Sequence, residues 1–419
     1  MSDAHNQAPL PLRGVRVLDM TRILAGPWAT QSLADLGAEV IKIEHPAGGD
    51  DTRRMGPPFI RDAGTGEETD AAYFLCCNRG KDSVAIDIAT PRGRELVRRL
   101  AAKCDVLIEN YKVGGLCKYG LDYETLHAEL PDLVYCSVTG FGQTGPYAQR
   151  PGYDYLIQGM GGLMSVTGEP DGMPGGGPQR AGVALADILS GMYAALAILA
   201  ALRHRDLGGG GQRIDIGMLD VQVAVLANQA MNYLTTGKAP NRMGNGHPNI
   251  VPYQSFRASD GHLILAVGND TQFRKMAQAM GRPDIGEDPR FQTIKLRVAN
   301  RGVLVPMLEE IIASRTIEEW VAAMAAVEVP CGPVNTLDRV FADPQVLARG
   351  ARLTLPHASA GEVPSVASPM RLSESPLRYE AGPPVLGQHT AGVLRRVLGL
   401  ADEDIAALAE QHVIKDTAL

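Results

Sequence analysis

The chain has 419 residues, more than a single hydrophobic core usually contains, so its length predicts two domains. Hydrophobic residues make up 45% of the chain and charged residues 21%, a balance typical of a globular protein. The net charge of −7 and the lack of a basic cluster argue against nucleic acid as a partner.

The first twelve residues are polar and contain proline, and no basic segment leads into an apolar one, so no signal peptide is predicted. Six cysteines without metal-type spacing indicate reduced thiols and a cytoplasmic location. They are Cys76, Cys77, Cys104, Cys117, Cys136 and Cys331. The nine histidines form neither an HxxxH nor an HxH pair, so no metal site is predicted.

Residues 14–44 have the pattern of a βαβ unit. Its parts, in chain order, are an apolar strand at 15–18, a turn at 21–27, a helix to about residue 36 and a strand at 39–43. Pro27 suits the first turn of the helix, where the backbone N–H that proline lacks has no helical partner. The unit predicts that the chain begins with a parallel sheet.

The same alternation of strands and helices continues along the chain. The predicted strands are 83–87, 106–110 and 133–138, and the predicted helices are 92–103 and 123–129. The alternation predicts an α/β fold with a doubly wound parallel sheet and ligands at the carboxyl ends of its strands. Glycine-rich loops at 139–182 and 208–212 are either simple connections or loops that cover a ligand, since glycine lets the backbone approach a substrate.

A change in composition at 235–249 indicates a second, smaller α+β domain. The elements predicted around it are a helix at 219–237, strands at 250–257 and 262–267, and helices at 270–281, 298–314 and 317–326. Residues 330–390 are rich in proline, and helices at 387–398 and 402–412 are expected to return to the first domain. The predicted division is therefore 1–224 for the first part of the large domain, 225–325 for the small domain, and 326–419 for a linker and the return.

Asp187 stands between a short apolar run and a long apolar helix. Residues 183–186 predict a buried strand, and the residues after Asp187 predict a helix that is apolar almost all round and packed inside the protein. Because 183–201 contains an acid and is short for a bilayer, we expect a core helix rather than a membrane span. Asp187 is either an N-cap or a reactive carboxylate that the helix start keeps charged; the pattern leaves both open.

Several familiar nucleotide and hydrolase motifs are missing from the sequence. The turn TRILAGP after the first strand lacks the glycines of GxGxxG, which allow a backbone to approach a pyrophosphate. Neither a P-loop GxxxxGK[ST] nor a GxSxG elbow occurs. The sequence therefore argues against a dinucleotide-dependent enzyme and against a serine hydrolase of this type.

Five longer segments together resemble the class III CoA-transferases. They are GVRVLDMTRILAGPWATQSLADLGAEVIKIEHPAGGDDTR, NRGKDSVAID, VLIENYKVGGLCKYGL, SVTGFGQTGPYAQRPGYD and GVALADILSG. The resemblance extends from about residue 12 to residue 412. The family includes formyl-CoA and carnitine CoA-transferases, and α-methylacyl-CoA racemases share its fold. The resemblance implies a CoA-binding large domain and a homodimer of two ring-like chains threaded through each other. No membrane partner is expected.

The resemblance places Asp187 at the family's catalytic aspartate. It implies that this carboxylate attacks an acyl-CoA thioester to give a mixed anhydride, and that CoA then attacks the aspartyl carbonyl to give an enzyme-bound thioester. An acceptor acid reverses these steps. Covalent catalysis of this kind divides one difficult acyl exchange into easier ones. CoA thioesters are then substrates, and no permanently bound cofactor is expected.

The resemblance also implies a CoA site on the large domain. The matching positions are Arg22, Ile23, Ala25, His45, Ile86, Asn110, Tyr111 and Lys118. Their cationic side chains suit the phosphates of CoA. Tyr73 and Tyr153 match positions that contact the acyl group or the acceptor in formyl-CoA transferase. Each residue taken singly is also compatible with an ordinary surface or half-buried position.

Two segments distinguish between branches of the family. Racemases have a histidine where Tyr153 stands, and tyrosine, with an ordinary pKa near ~10, is a poor proton shuttle at neutrality. The segment 242–256, RMGNGHPNIVPYQSF, resembles the succinate–hydroxymethylglutarate CoA-transferase branch and implies that Asn245, Gly246 and His247 lie near the acyl group, His247 being equally suited to loop capping. The prediction is CoA transfer from an acyl-CoA such as succinyl-CoA to a dicarboxylate. The alternatives are a racemase-like isomerase and a non-catalytic CoA-binding protein.

Overall fold

The computed structural model describes residues 9–417. The prediction that no signal peptide is present falls mainly on residues 1–8, which lie outside the described residues. In chain order the strands are β1 Arg16–Met20, β2 Glu39–Glu44, β3 Phe59–Arg61, β4 Glu68–Ala71, β5 Lys81–Ile86, β6 Val106–Glu109, β7 Val134–Thr139, β8 Arg213–Gly217, β9 Tyr253–Ala258, β10 Gly261–Ala266, β11 Cys331–Pro333, β12 Arg352–His357, β13 Gly361–Val366 and β14 Ile414–Lys415. The helices are α1 Ala25–Asp35, α2 Ala72–Leu75, α3 Pro91–Ala101, α4 Tyr123–Glu129, α5 Asp154–Met160, α6 Leu163–Val166, α7 Leu185–His204, α8 Met218–Ala224, α9 Ala227–Thr236, α10 Asp270–Ala279, α11 Pro283–Glu287, α12 Ile294–Ala299, α13 Arg301–Ile312, α14 Ile317–Ala325, α15 Leu337–Ala342, α16 Pro344–Ala348, α17 Thr390–Leu398 and α18 Asp402–Glu410.

The chain forms two compact units. Unit 1 consists of the residues up to Gly162, Gly182–Ala227 and the residues from Gln345 onward, and unit 2 consists of Leu163–Ala181 and Asn228–Pro344. These limits differ from the boundaries expected at 224/225 and 325/326. Residues 163–181 were expected to be a loop of the large domain, whereas they pack within unit 2.

Unit 1 is built on a seven-stranded sheet in the order β14-β5-β2-β1-β6-β7-β8. All neighbouring pairs are parallel except β14, which runs antiparallel to β5. The chain builds the sheet outward from β1 in one direction through β2 and β5, and from β6 in the other through β7 and β8. The strand order therefore reverses between β1 and β6, and ligands of such sheets bind outside the carboxyl ends of the strands at this switch point.

Both faces of this sheet are covered, as is usual for parallel sheets, and successive side chains of a strand point to opposite faces. On one face Leu18 and Leu107 pack with residues of α3, α4, α17 and α18. On the other face Val17 and Val106 pack with α1 and α7. The predicted α/β fold with a parallel sheet is confirmed, and its strands at 83–87, 106–110 and 133–138 correspond to β5, β6 and β7.

Unit 2 contains a three-stranded antiparallel sheet, β11-β10-β9. Its core consists of buried side chains from this sheet and from α10, α13 and α14, with Trp320 and Phe273 among the largest. The short strand β11 and the hairpin β12–β13 of unit 1 fall in 330–390, which the sequence predicted to be a proline-rich linker. Their strands contain Pro333, Pro356 and Pro364, and proline obscures a strand pattern.

The start of α7 corrects two predictions. Residues 183–186 are not a buried strand: α7 begins at Leu185, and Val183 is 55% exposed. Alanine and leucine are strong helix formers, so once no neighbouring strand pairs with them the helix is favoured. Nor is the helix buried all round, because Met192 and Leu196, four residues apart on one face, are 55% and 62% exposed.

Helix α7 is nevertheless part of the core of unit 1. Among the described residues, one stretch, Leu185–Gly209, is long and apolar enough to cross a membrane, and 44% of its apolar window is buried. Gly191 allows α7 to approach α1, because a Cβ at this position would lie 2.4 Å from the carbonyl oxygen of Ala25. The prediction of a core helix therefore holds for the face of α7 that packs on the sheet and α1, and not for the face with Met192 and Leu196.

Candidate active site

The loop after β1 and the end of β6 are joined at the switch point of the sheet. The side chain of Asn110 accepts a hydrogen bond from the backbone N–H of Arg22 at 2.9 Å and donates one to the carbonyl oxygen of Arg22 at 2.7 Å. Asn110 thus holds the loop 21–24 in place. Asn110, a predicted CoA-site residue, thus also fixes the backbone of Arg22, another predicted CoA-site residue.

Two buried charged side chains, Lys42 and Asp50, form hydrogen bonds to the backbone of this loop. The ammonium of Lys42 lies 2.9 Å from the carboxylate of Asp50 and donates to the carbonyl oxygen of Thr21 at 2.8 Å. Asp50 in turn accepts the backbone N–H of Ile23 at 3.2 Å. Ile23 has a φ of 72°, a left-handed conformation that is strained for a β-branched residue and persists only where its surroundings enforce it. This support was not predicted, although a lysine inside the apolar strand VIKIE is a visible signal.

A cavity of about 240 Å³ opens beside this loop and contains Asp187. Seven of the residues that the sequence singled out line it together: Arg22, Ile23, Ala25, Asn110, Tyr111, Tyr153 and Asp187. Lys112 and Arg150 also line it and were not predicted. Residues far apart in the chain are thus brought to one wall by the carboxyl ends of the strands.

A second cavity of about 650 Å³ adjoins the first, since Arg22 and Tyr111 line both. It contains the predicted residues His45 and Ile86, and in addition Arg54 and Tyr119. Arg22 lies 3.1 Å from the carboxylate of Asp51 and stacks over the ring of Tyr111 at 5.8 Å. Cationic and aromatic groups together suit a ligand that carries phosphates and a base.

Two predicted residues lie beside these cavities rather than on their walls. Lys118 is exposed, and its ammonium lies 4.7 Å from the ring centre of Tyr119. Tyr73 is half-buried, and burial together with the negative charge of Asp187 raises its pKa to about 12. Tyr73 is therefore a neutral hydroxyl at neutral pH, within electrostatic range of Asp187.

The remaining predicted residues belong to unit 2. Asn245 and Gly246 line a cavity of about 1000 Å³ within that unit, as do Arg242 and Arg301. His247 accepts the backbone N–H of Asn249 on its Nδ1 at 3.1 Å, a loop-capping contact. Their predicted contact with the acyl group stays a prediction.

Asp187 occupies the first turn of α7, two residues after its beginning. Of the two alternatives that the sequence left open for Asp187, the N-cap is wrong: Ala184 occupies that position, and Asp154 accepts the backbone N–H groups of Ala186 and Asp187, at 2.9 and 3.4 Å. The side chain of Asp187 is left to face the cavity. Burial and the charge of Asp154 raise the pKa of Asp187 to about 7, so the helix start does not keep this carboxylate fully charged at neutrality.

The backbone around Asp154 is fixed by a close contact between two glycines. A Cβ on Gly152 would lie 2.5 Å from the Cα of Gly140, and a Cβ on Gly140 would lie 2.6 Å from the Cα of Gly152. Only glycine fits at both positions, so the loop after β7 touches the segment that leads into α5. This contact places Tyr153 and Asp154 at the cavity.

The fold thus places a desolvated carboxylate beside a cleft with cationic side chains, at the carboxyl ends of a parallel sheet. A family model described as CoA-transferase family III matches residues 12–390. The chain belongs to this family and is a class III CoA-transferase, an enzyme whose substrates are CoA thioesters and carboxylic acids.

Similar proteins support this assignment along the whole chain. A succinate–glutarate CoA-transferase of Agrobacterium fabrum is 52% identical over 398 residues, which cover 94% of this chain and 97% of the relative. The human succinyl-CoA:glutarate CoA-transferase is 41% identical and covers 96% of this chain and 90% of its own length. The crystal structure of a CAIB/BAIF family protein from Brucella suis is 51% identical, with a TM-score of 0.81 over 92% of this chain and 99% of that chain.

Proposed function

We propose that this enzyme transfers CoA from succinyl-CoA to a C4–C6 dicarboxylate, glutarate being the first candidate, through covalent intermediates on Asp187. The observation that carries the proposal is the position of Asp187 on the wall of a cavity that adjoins a cleft with cationic side chains. The names of the similar enzymes from Agrobacterium fabrum and Homo sapiens support the choice of acids.

The chemistry follows from a partly desolvated carboxylate. The Asp187 oxygen attacks the thioester carbonyl, and the C–S bond breaks to give a mixed anhydride and CoA thiolate. The thiolate attacks the aspartyl carbonyl and releases the donor acid, which leaves an aspartyl-CoA thioester. The acceptor carboxylate then displaces the thiolate from the aspartyl carbonyl to form a second anhydride. The thiolate attacks the acceptor's carbonyl carbon in this anhydride, which restores the Asp187 carboxylate and releases the new acyl-CoA.

The two cavities divide the ligand between them. The larger cavity, with Arg22, His45 and Arg54, would hold the nucleotide phosphates, and the smaller cavity would hold the thioester. Backbone N–H groups of the glycine-rich segments that line the smaller cavity would stabilise the oxyanion of each tetrahedral intermediate. Lys118 would approach the phosphates from the rim.

A transfer assay of succinyl-CoA against a panel of mono- and dicarboxylates tests the substrate assignment. We expect kcat/KM for glutarate to exceed that for butyrate, its analogue with one carboxylate fewer, by about 10²-fold or more, because a site built for a second carboxylate rejects an acid that lacks it. Equal values for the two acids would overturn the assignment. Exchange of the α-proton in deuterated water without any transfer would instead establish an isomerase.

The enzyme is expected to act in the cytoplasm as a homodimer. Two observations support these expectations: the six cysteines are unpaired in the described chain, and the exposed apolar face of α7 at Met192 and Leu196 suits a second copy of this chain. Leu196→Glu should shift the mass in sedimentation equilibrium from dimer toward monomer. Val366→Glu, at a similarly exposed apolar position on β13, is the matched control. A monomeric parent protein would contradict the homodimer.

A further inference from the structure

Helix α7 begins without a cap of its own. Ala184 occupies the N-cap position, with φ −73° and ψ 71°, and offers no side chain to the first turn. Unpaired N–H groups at a buried helix start are costly, and a side-chain oxygen normally accepts them. Here that oxygen comes from another helix, because Oδ1 of Asp154 at the start of α5 accepts the N–H groups of Ala186 and Asp187.

Asp154 is itself held on its second oxygen. Gln158, one turn later in α5 and buried, donates from its Nε2 to Oδ2 of Asp154 at 2.7 Å. Ile157 and Ala186 pack together with Phe141 and Met218 in a small buried cluster, which fixes α5 against the start of α7. The carboxylate of Asp154 therefore has little freedom to leave its position.

The consequence for Asp187 is geometric. Within residues 9–417, no group donates a hydrogen bond to the Asp187 carboxylate, and the helix N–H groups that could do so are occupied by Asp154. A carboxylate bound by two or three backbone N–H groups is a weaker base and nucleophile than one that is not. Asp154 thus removes the donors that would otherwise restrain Asp187.

We infer that Asp154 is a positioning residue for the transfer reaction: it caps α7 from outside and thereby leaves the Asp187 carboxylate unbonded and directed into the cavity. The inference rests on the proposed covalent role of Asp187 and adds a second carboxylate to it. Its negative charge acts on Asp187 as well, since like charges close together favour protonation of one of them.

The test is the pH dependence of aspartyl-CoA formation from succinyl-CoA, followed by mass spectrometry in single turnovers. In the parent enzyme the rate should fall below about pH 7, because protonated Asp187 is not a nucleophile. Asp154→Asn keeps an oxygen for the cap and removes the charge, and the Gln158 amide can turn over to accept the new NH2. Removing a neighbouring negative charge lowers the pKa of Asp187, so the acid limb should move down by about one pH unit.

Two further variants separate positioning from general stability. Asp154→Ala removes both cap and charge, and we expect the maximal rate to fall about tenfold or more while the KM for succinyl-CoA changes little. Asp220→Asn removes an exposed first-turn charge from α8 and should leave the acid limb unchanged. The other ionisable side chains around Asp187 are the same in all variants: Tyr73 of α2, and Arg22, Tyr111, Lys112, Arg150 and Tyr153 on the cavity wall.

The outcomes distinguish this inference from the function it rests on. If Asp187→Ala abolishes adduct formation, but Asp154→Ala keeps the maximal rate of the parent enzyme and Asp154→Asn leaves the acid limb in place, the positioning role of Asp154 is overturned and the proposed function stands. If Asp187→Ala still transfers CoA, the covalent role itself fails.

Discussion

Replacing Asp187 by alanine is expected to lower the rate of CoA transfer by about 10³-fold or more, because every covalent intermediate of the proposed route is formed on this carboxylate. The affinity for CoA should stay within about twofold, since the cationic and aromatic groups of the larger cavity are untouched. Steady-state kinetics and calorimetric titration with CoA measure the two quantities. Incubation with succinyl-CoA should add no mass to the variant.

Asp187→Asn is the conservative comparison for this experiment. The amide keeps the size of the side chain and the packing of the first turn of α7, but it has no anionic oxygen to attack a thioester. It should therefore be as inactive as Asp187→Ala while melting at the parent temperature. Activity within tenfold of the parent in either variant would contradict the nucleophile assignment.

Removing Asp19 is expected to have the largest effect on stability. Its carboxylate is fully buried and lies 3.1 Å from the ammonium of Lys81, which is also fully buried. Asp19→Ala leaves that ammonium without its charge partner and should lower the free energy of unfolding by about 3–5 kcal/mol. Chemical denaturation measures the loss. Glu68→Ala, which removes an exposed ion pair with Arg61, should cost less than about 1 kcal/mol.

Asp19 also predicts how stability depends on pH. Burial alone would raise its pKa, but the ammonium groups of Lys81 and Lys42 and two threonine hydroxyls outweigh burial and lower it to about 2. The depressed pKa contributes stability above the ordinary value of 3.8, and this contribution is lost as the pH falls from about 4 to about 2. The difference in stability between the parent and Asp19→Ala should therefore shrink over this interval; a constant difference would show that the charge is not responsible.

Much of the sheet could be predicted from the sequence because strands such as β6 and β7 are mostly apolar runs that alternate with helical patterns. The strand β7 at Val134–Thr139 lies close to its expected position, and so does the helix α3 at Pro91–Ala101. The strand predicted at 183–186 was wrong because a short apolar run fits the pattern of a strand and that of a buried helix equally well. In the structure these residues begin a helix, and its first N–H groups are accepted by Asp154, which is remote in sequence.

The candidate site was predictable where its residues follow strands directly. Arg22 follows β1 and Asn110 follows β6, so the carboxyl ends of adjacent strands bring them together. Arg150 and Arg54 reach the two cavities from a loop and a short helical turn, and nothing in their local sequence indicates which cavity they reach. Buried charge pairs such as Lys42 and Asp50 depend on the three-dimensional approach of a strand and a loop, which periodicity does not encode.

The contact between Gly140 and Gly152 limits how this site can change its substrate. With two backbones already touching, neither position accepts even a methyl group, so one side of the cavity has a set width. We expect acids of different length to be accommodated by the side chains of the cavity wall, among them Tyr153, which is 70% exposed. New acceptors would then arise by substitution of these side chains, with the nucleophile and its support left in place.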